Sequence, residues 1–190
     1  MIALSEAYLR LARPWTTAEI GDRFREALGD APAEASTGED PQSARPIGAL
    51  ALAIPSCASL AVAVHVLHVV PEGADDELAN QLLTASARNA AEGIRHCHRS
   101  LELDAAAQGY SAEAWLPVVY ENAAPLLESA RATDEPPTIV THVQAAVSWL
   151  SQAFVELDSG AAETSSALAG AIAHLLAIWV FAEVALSRTA

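Results

Sequence analysis

Apolar positions along this chain recur at three- and four-residue spacing over long stretches, and no alternating run is long enough to describe a strand. Ile2 to Arg13 carries Ile2, Leu4, Tyr8, Leu9 and Leu11 at mixed helical spacing before Pro14 interrupts it. Thr16 with Glu19 three residues on forms a capping box, and Trp15 with Ile20 forms a hydrophobic staple. The pattern therefore predicts a helix from about Thr17 to Leu28, stopped at Gly29. Asp30 to Arg45 holds two prolines and no large apolar side chain, the composition of a mobile linker.

From Ile47 to Val70 the chain is apolar, with Pro55 either kinking one helix or starting a second at Ser56. Asp75 or Asp76 opens the next helix, which runs to about Gln108 and is closed by Gly109. Leu83, Ala87, Ala90, Ile94, Cys97, Leu101 and Ala105 share one of its faces, and Arg88, Glu92, Arg95, Arg99 and Glu102 the opposite one, as in an amphipathic surface helix. Ser111 caps a helix to about Arg131, bent at Pro117 and Pro125, with Trp115, Val119, Ala123, Leu126 and Ala130 inward. A helix over about Thr138 to Asp158 turns Ile139, Val140, Val143, Val147, Leu150, Phe154 and Leu157 to the core and Gln144, Ser148, Ser151, Gln152 and Glu156 to solvent. The last helix, about Ala162 to Ser187, is apolar almost all round, as is Ser56 to Val70. Helices of that kind lie at a bundle centre or in a subunit interface. The expected fold is an all-α, single-domain bundle of five to six helices over residues 1–190, two of them nearly uncharged and either centrally buried or at an interface, with residues 30–45 as the mobile connection.

Composition supports this reading and removes many functions. Forty-three alanines and 5% aromatic residues suit close-packed helices rather than a β-sandwich. The chain has no lysine, ten arginines, and a net charge of −14. Schiff-base chemistry, a phosphate loop ending in Gly-Lys-Ser/Thr and a polybasic patch for nucleic acid or anionic lipid are thereby excluded. Cys57 and Cys97 lack the spacing of a disulfide framework or a zinc knuckle and read as buried free thiols. Residues 46–71 and 164–182 carry no formal charge and reach transmembrane length. Their interior Ser, His, Pro and Gly residues, with acidic flanks and no positive-inside asymmetry, favour buried helices over membrane spans. The amino terminus shows no secretory pattern, so a cytoplasmic location is expected.

Histidines are the one constellation with chemical potential. Cys57, Ala61, His65 and His68 form a stripe on a helix without a charged face, and this stripe is the best candidate site. His174, among Ala167, Gly170, Ala171 and Ala177, meets it if the two apolar helices are neighbours. Glu92 and His96 look like a metal pair, but Arg88, Arg95 and Arg99 surround the carboxylate and make it an ion-pair face. His98 and His142 read as packed boundary residues. No HExxH, ExxH or GxSxG motif is present, so no metal is expected and no cofactor is implied. The expected function is that of an acidic helical binding or assembly module that self-associates into a homo-oligomer, without nucleic acid or membrane. The alternative is an enzyme or receptor for a small apolar ligand, its pocket floored by His65, His68, Cys57 and His174.

Overall fold

The computed structural model describes residues 13–29, 44–69, 76–128, 139–160 and 164–187. These are helical throughout, with no strand among them. The helix expected over 2–13 lies almost wholly outside the described residues, as does nearly all of the linker expected over 30–45. Helix α1 spans Thr17–Leu28 and is set by local chemistry. The Thr16 hydroxyl accepts from the Glu19 amide at 3.2 Å, and Glu19 accepts the Thr16 amide at 2.9 Å. The chain then leaves through Gly29 at φ 72°, which glycine adopts without strain. Arg13 binds the same Glu19 carboxylate at 2.7 Å, and these bonds hold its pKa down to about 2.

The uncharged segment after residue 45 divides at Leu52 into α2, Pro46–Ala51, and α3, Ala53–Val69. Pro55 falls in the first turn of α3, where its missing N–H has no intrahelical partner to lose. Helix α4, Asp76–Gln108, is the longest at 33 residues and is closed by Gly109 at φ 83°. All seven positions expected on its core face are buried. It is not a surface helix, however: Ser86, Asn89, Ala91, Gly93, Ser100 and Asp104 are buried too, because α4 wedges between other helices. At the tightest point a Cβ on Gly93 would lie 3.1 Å from Leu175 and 3.6 Å from Cys57 Sγ.

Ser111 caps a 3₁₀ turn, Ala112–Trp115, which runs into α5, Leu116–Glu128. Helix α5 buries Val119 and Ala123, as expected, with Leu127 in place of Leu126, which is only partly covered. Pro117 sits in its first turn. Helix α6, Ile139–Ser159, buries Ile139, His142, Val143, Ala146, Leu150 and Ala153. Val147, expected inside, is 42% exposed, and His142 takes an inward place. The small side chains Ala146 and Ala153 rotate α6 onto its neighbour, where close approach offsets the loss of larger contacts.

That neighbour is α7, Thr164–Leu186, the axis of the bundle. It packs against α4, α6 and α5, with α1 at its flank, and 83% of its most apolar stretch is buried. A Cβ on Gly170 would lie 2.8 Å from the Trp149 ring, so glycine is required for this α6–α7 contact. Helices α2 and α3 lie across α4 and α6 on the outside, and only 44% of the apolar stretch they form is buried. Of the two uncharged helices, α7 is thus central and α3 is half open. Both Pro46–Val69 and Thr164–Leu186 are long and apolar enough to cross a membrane.

Candidate functional site

The expected histidine stripe does not enclose a pocket. Cys57 is buried against α4, Ala61 is partly covered, and His65 and His68 are exposed on the outer face of α3. Burial pushes the Cys57 thiol up to about 11 and also raises that of Cys97, so both remain protonated and unreactive. Among the described residues no group of three or more His, Cys, Asp or Glu side chains converges as a metal site would require.

His174 meets a different partner. Its Nδ1 lies 3.2 Å from Nδ1 of His142, with the rings tilted at 47°. One Nδ1 donates and the other accepts, so the two neutral rings hold opposite tautomers. Burial lowers the His142 pKa to about 4, the neighbouring imidazole adding to the effect, and burial also lowers His174. The pair joins α6 to α7 one turn beyond the Gly170–Trp149 contact. Sequence spacing within either helix carries no sign of it.

A second polar cluster ties α4 to the amino terminus of α7. The buried Asp104 carboxylate accepts from Ser165 Oγ at 3.2 Å and from Gln108 Nε2 at 2.9 Å. Tyr110 lies 3.2 Å from the same serine hydroxyl. A carboxylate here is favoured by the partial positive charge of the α7 amino terminus. No imidazole is hydrogen-bonded to this serine, so the cluster anchors a helix end rather than activating a nucleophile.

Tyr110 also borders an open cleft of about 590 Å³ between α1, α4, the 3₁₀ turn and α5. Phe24 lies at its base, with His98 edge-on at 5.5 Å and Tyr120 at 6.1 Å. Burial lowers the His98 pKa, opposed by Glu102 with an oxygen 3.8 Å away. The rim cations are paired, Arg25 with Asp22 and Arg99 with Glu102. The cleft can offer a neutral imidazole and two phenols, with the Glu113 carboxylate also at its rim. None of its aromatic lining belonged to the expected stripe, which lies on α3, a helix that does not border the cleft.

The largest chemically distinctive feature is a surface. Among the described residues, no Asp, Glu or Arg occurs from 46 to 69 or from 139 to 155, and α2, α3 and α6 are adjacent. Eight large apolar side chains are exposed among the described residues. The six most open, at 42–69%, are Leu52, Ile54, Val62, Val69, Val147 and Val155, all on these helices or, for Leu52, at the junction of α2 and α3. Leu78 and Tyr110 elsewhere reach only 37% and 36%. Between them lie neutral hydrogen-bonding groups, Ser59 on α3 and Gln144, Ser148, Ser151 and Gln152 on α6. The formal charges of the described residues fall on α1, α4, α5, the flanking turns and the carboxy-terminal parts of α6 and α7. Comparison with protein-family models, with curated proteins and with solved structures finds no match for this chain.

Proposed function

We propose that this chain is an assembly module that self-associates through the uncharged side formed by α2, α3 and α6. The observation that carries the reading is the segregation, among the described residues, of the six most exposed apolar side chains onto a side that lacks formal charge. An apolar surface of this kind is stabilised by being covered. Two copies that each carry a charge of −14 repel through any other face, whereas an uncharged face lets them approach at least electrostatic cost. The face is self-complementary in chemistry, which is what a two-fold interface requires, and the small Ala51, Ala58 and Ser59 permit close helix approach. A lipid surface fits it less well, because no Lys or Arg on the face can meet anionic headgroups and α6 presents glutamines and serines.

The test is sedimentation velocity over a range of concentrations with the wild type and Val62→Glu. Val62 is 65% exposed, so the substitution leaves the core intact while placing a carboxylate in the centre of the face. The expected result is a wild-type oligomer and a folded, monomeric variant. A wild-type monomer at tens of micromolar contradicts the reading, and recruitment of that monomer to lipid vesicles assigns the face to a membrane instead.

A further inference from the structure

Up to Glu156, the exposed ionisable side chains on the uncharged side are of one kind. They are the imidazoles of His65 and His68, one turn apart on the outer face of α3. Neither is held by a hydrogen bond or ion pair among the described residues. Imidazole is the side chain that changes charge between pH 5 and 8. We infer that protonation of His65 and His68 opens the assembly, so that the chain associates at neutral pH and separates in mild acid; this rests on the assembly reading above.

The cost follows from placement. A neutral imidazole enters a partly apolar interface with its N–H bonded to a serine, glutamine or water, whereas an imidazolium must surrender hydration to do so. In a two-fold assembly each copy brings its own pair to the same interface, so like charges accumulate on both sides.

The neighbouring elements supply little compensation. Helix α4 carries Glu77 and Arg88 exposed on its amino-terminal half and Glu92 toward α3, while Arg95 turns to the Ala27 carbonyl of α1 at 3.4 Å. Its Glu92 accepts from Ser56 Oγ at 3.4 Å, nine residues and about 13 Å along α3 from His65. On α6, His142 is turned inward to His174, and Glu156 and Asp158 stand in the last turns. Helix α2 has no titratable group, and Glu72 and Asp75, after α3, lie outside the described residues.

Global charge predicts the opposite response, which makes the inference easy to test. As pH falls towards the pI near 4.6, the repulsion between whole chains declines and association should tighten. The experiment is sedimentation velocity of the full chain at pH 7.5 and 5.5 at constant ionic strength, for wild type and for His65→Gln/His68→Gln, with circular dichroism confirming the fold at each pH. The wild type is expected to weaken in self-association by about tenfold or more on acidification, while the double variant holds or tightens. If the double substitution itself prevents assembly at pH 7.5, each single glutamine variant is expected to show a smaller acid response than wild type. A wild type that stays equally associated at pH 5.5 overturns the inference alone, as does a variant that weakens in parallel with it. A wild type that is monomeric at both pH values overturns this inference and the assembly reading together.

Discussion

At the scale of single residues, the His142–His174 pair is the feature with the clearest consequence for solution behaviour. An unfolded histidine titrates near 6.5, whereas burial and the second imidazole hold His142 at about 4. Between those values the unfolded chain binds more protons than the folded one. Stability is therefore fully present above about pH 6.5 and falls as pH drops through 4. The loss attributable to His142 is about 3 kcal/mol across that window. Thermal unfolding followed from pH 7 to pH 4 should show this decline in the wild type and a shallower one in His142→Gln. Identical slopes would show that the imidazole stays accessible to protons in the fold. The pair was not legible in the sequence. His142 sits at the edge of an apolar arc, and its inward turn depends on how Ala146 and Ala153 seat α6 against α7, a property of two helices rather than one. His65 and His68 illustrate the converse: one stripe with Cys57 on a helix wheel, yet exposed, because only the Cys57 end of that stripe is covered by α4.

At the scale of elements, helix ends were legible and burial phases only in part. Ends are set by local chemistry that spacing reveals: the Thr16–Glu19 box, and the glycines at 29 and 109, both at positive φ. Phase depends on partners. On α5 Leu127 is buried where Leu126 was expected, and α4 buried more than one face because it passes between α3 and α7. The nearly uncharged composition of α3 and α7 could not say which was central, since a covered helix and an uncovered interface helix need the same residues. The structure separates them, and substitution can check it. Ile172→Ala in α7 removes a fully buried side chain and should cost about 2–5 kcal/mol, whereas Val62→Ala on α3 should change monomer stability by less than about 0.5 kcal/mol. Denaturant titration of both variants at low protein concentration tests the assignment, and equal costs would place the two helices in equivalent environments.

At the scale of the molecule, the chain is two-sided. Among the described residues, helices α1, α4 and α5 carry most of the acidic side chains, and α2, α3 and most of α6 make an uncharged side that, on the proposed reading, a second copy covers. Gaps in the charge pattern are visible along the sequence, but their meaning depends on α3 and α6 lying side by side while α7 passes beneath α6. The most direct test of this organisation is hydroxyl-radical footprinting of the wild type at low and high protein concentration, which reports side-chain exposure residue by residue. The account predicts that Leu52, Ile54, Val62, His65 and Val147 become protected as the chain associates, while Leu78 and Tyr110 react unchanged. Protection at Tyr110 and along α1, or association that leaves Val62 and Ile54 fully reactive, would contradict it.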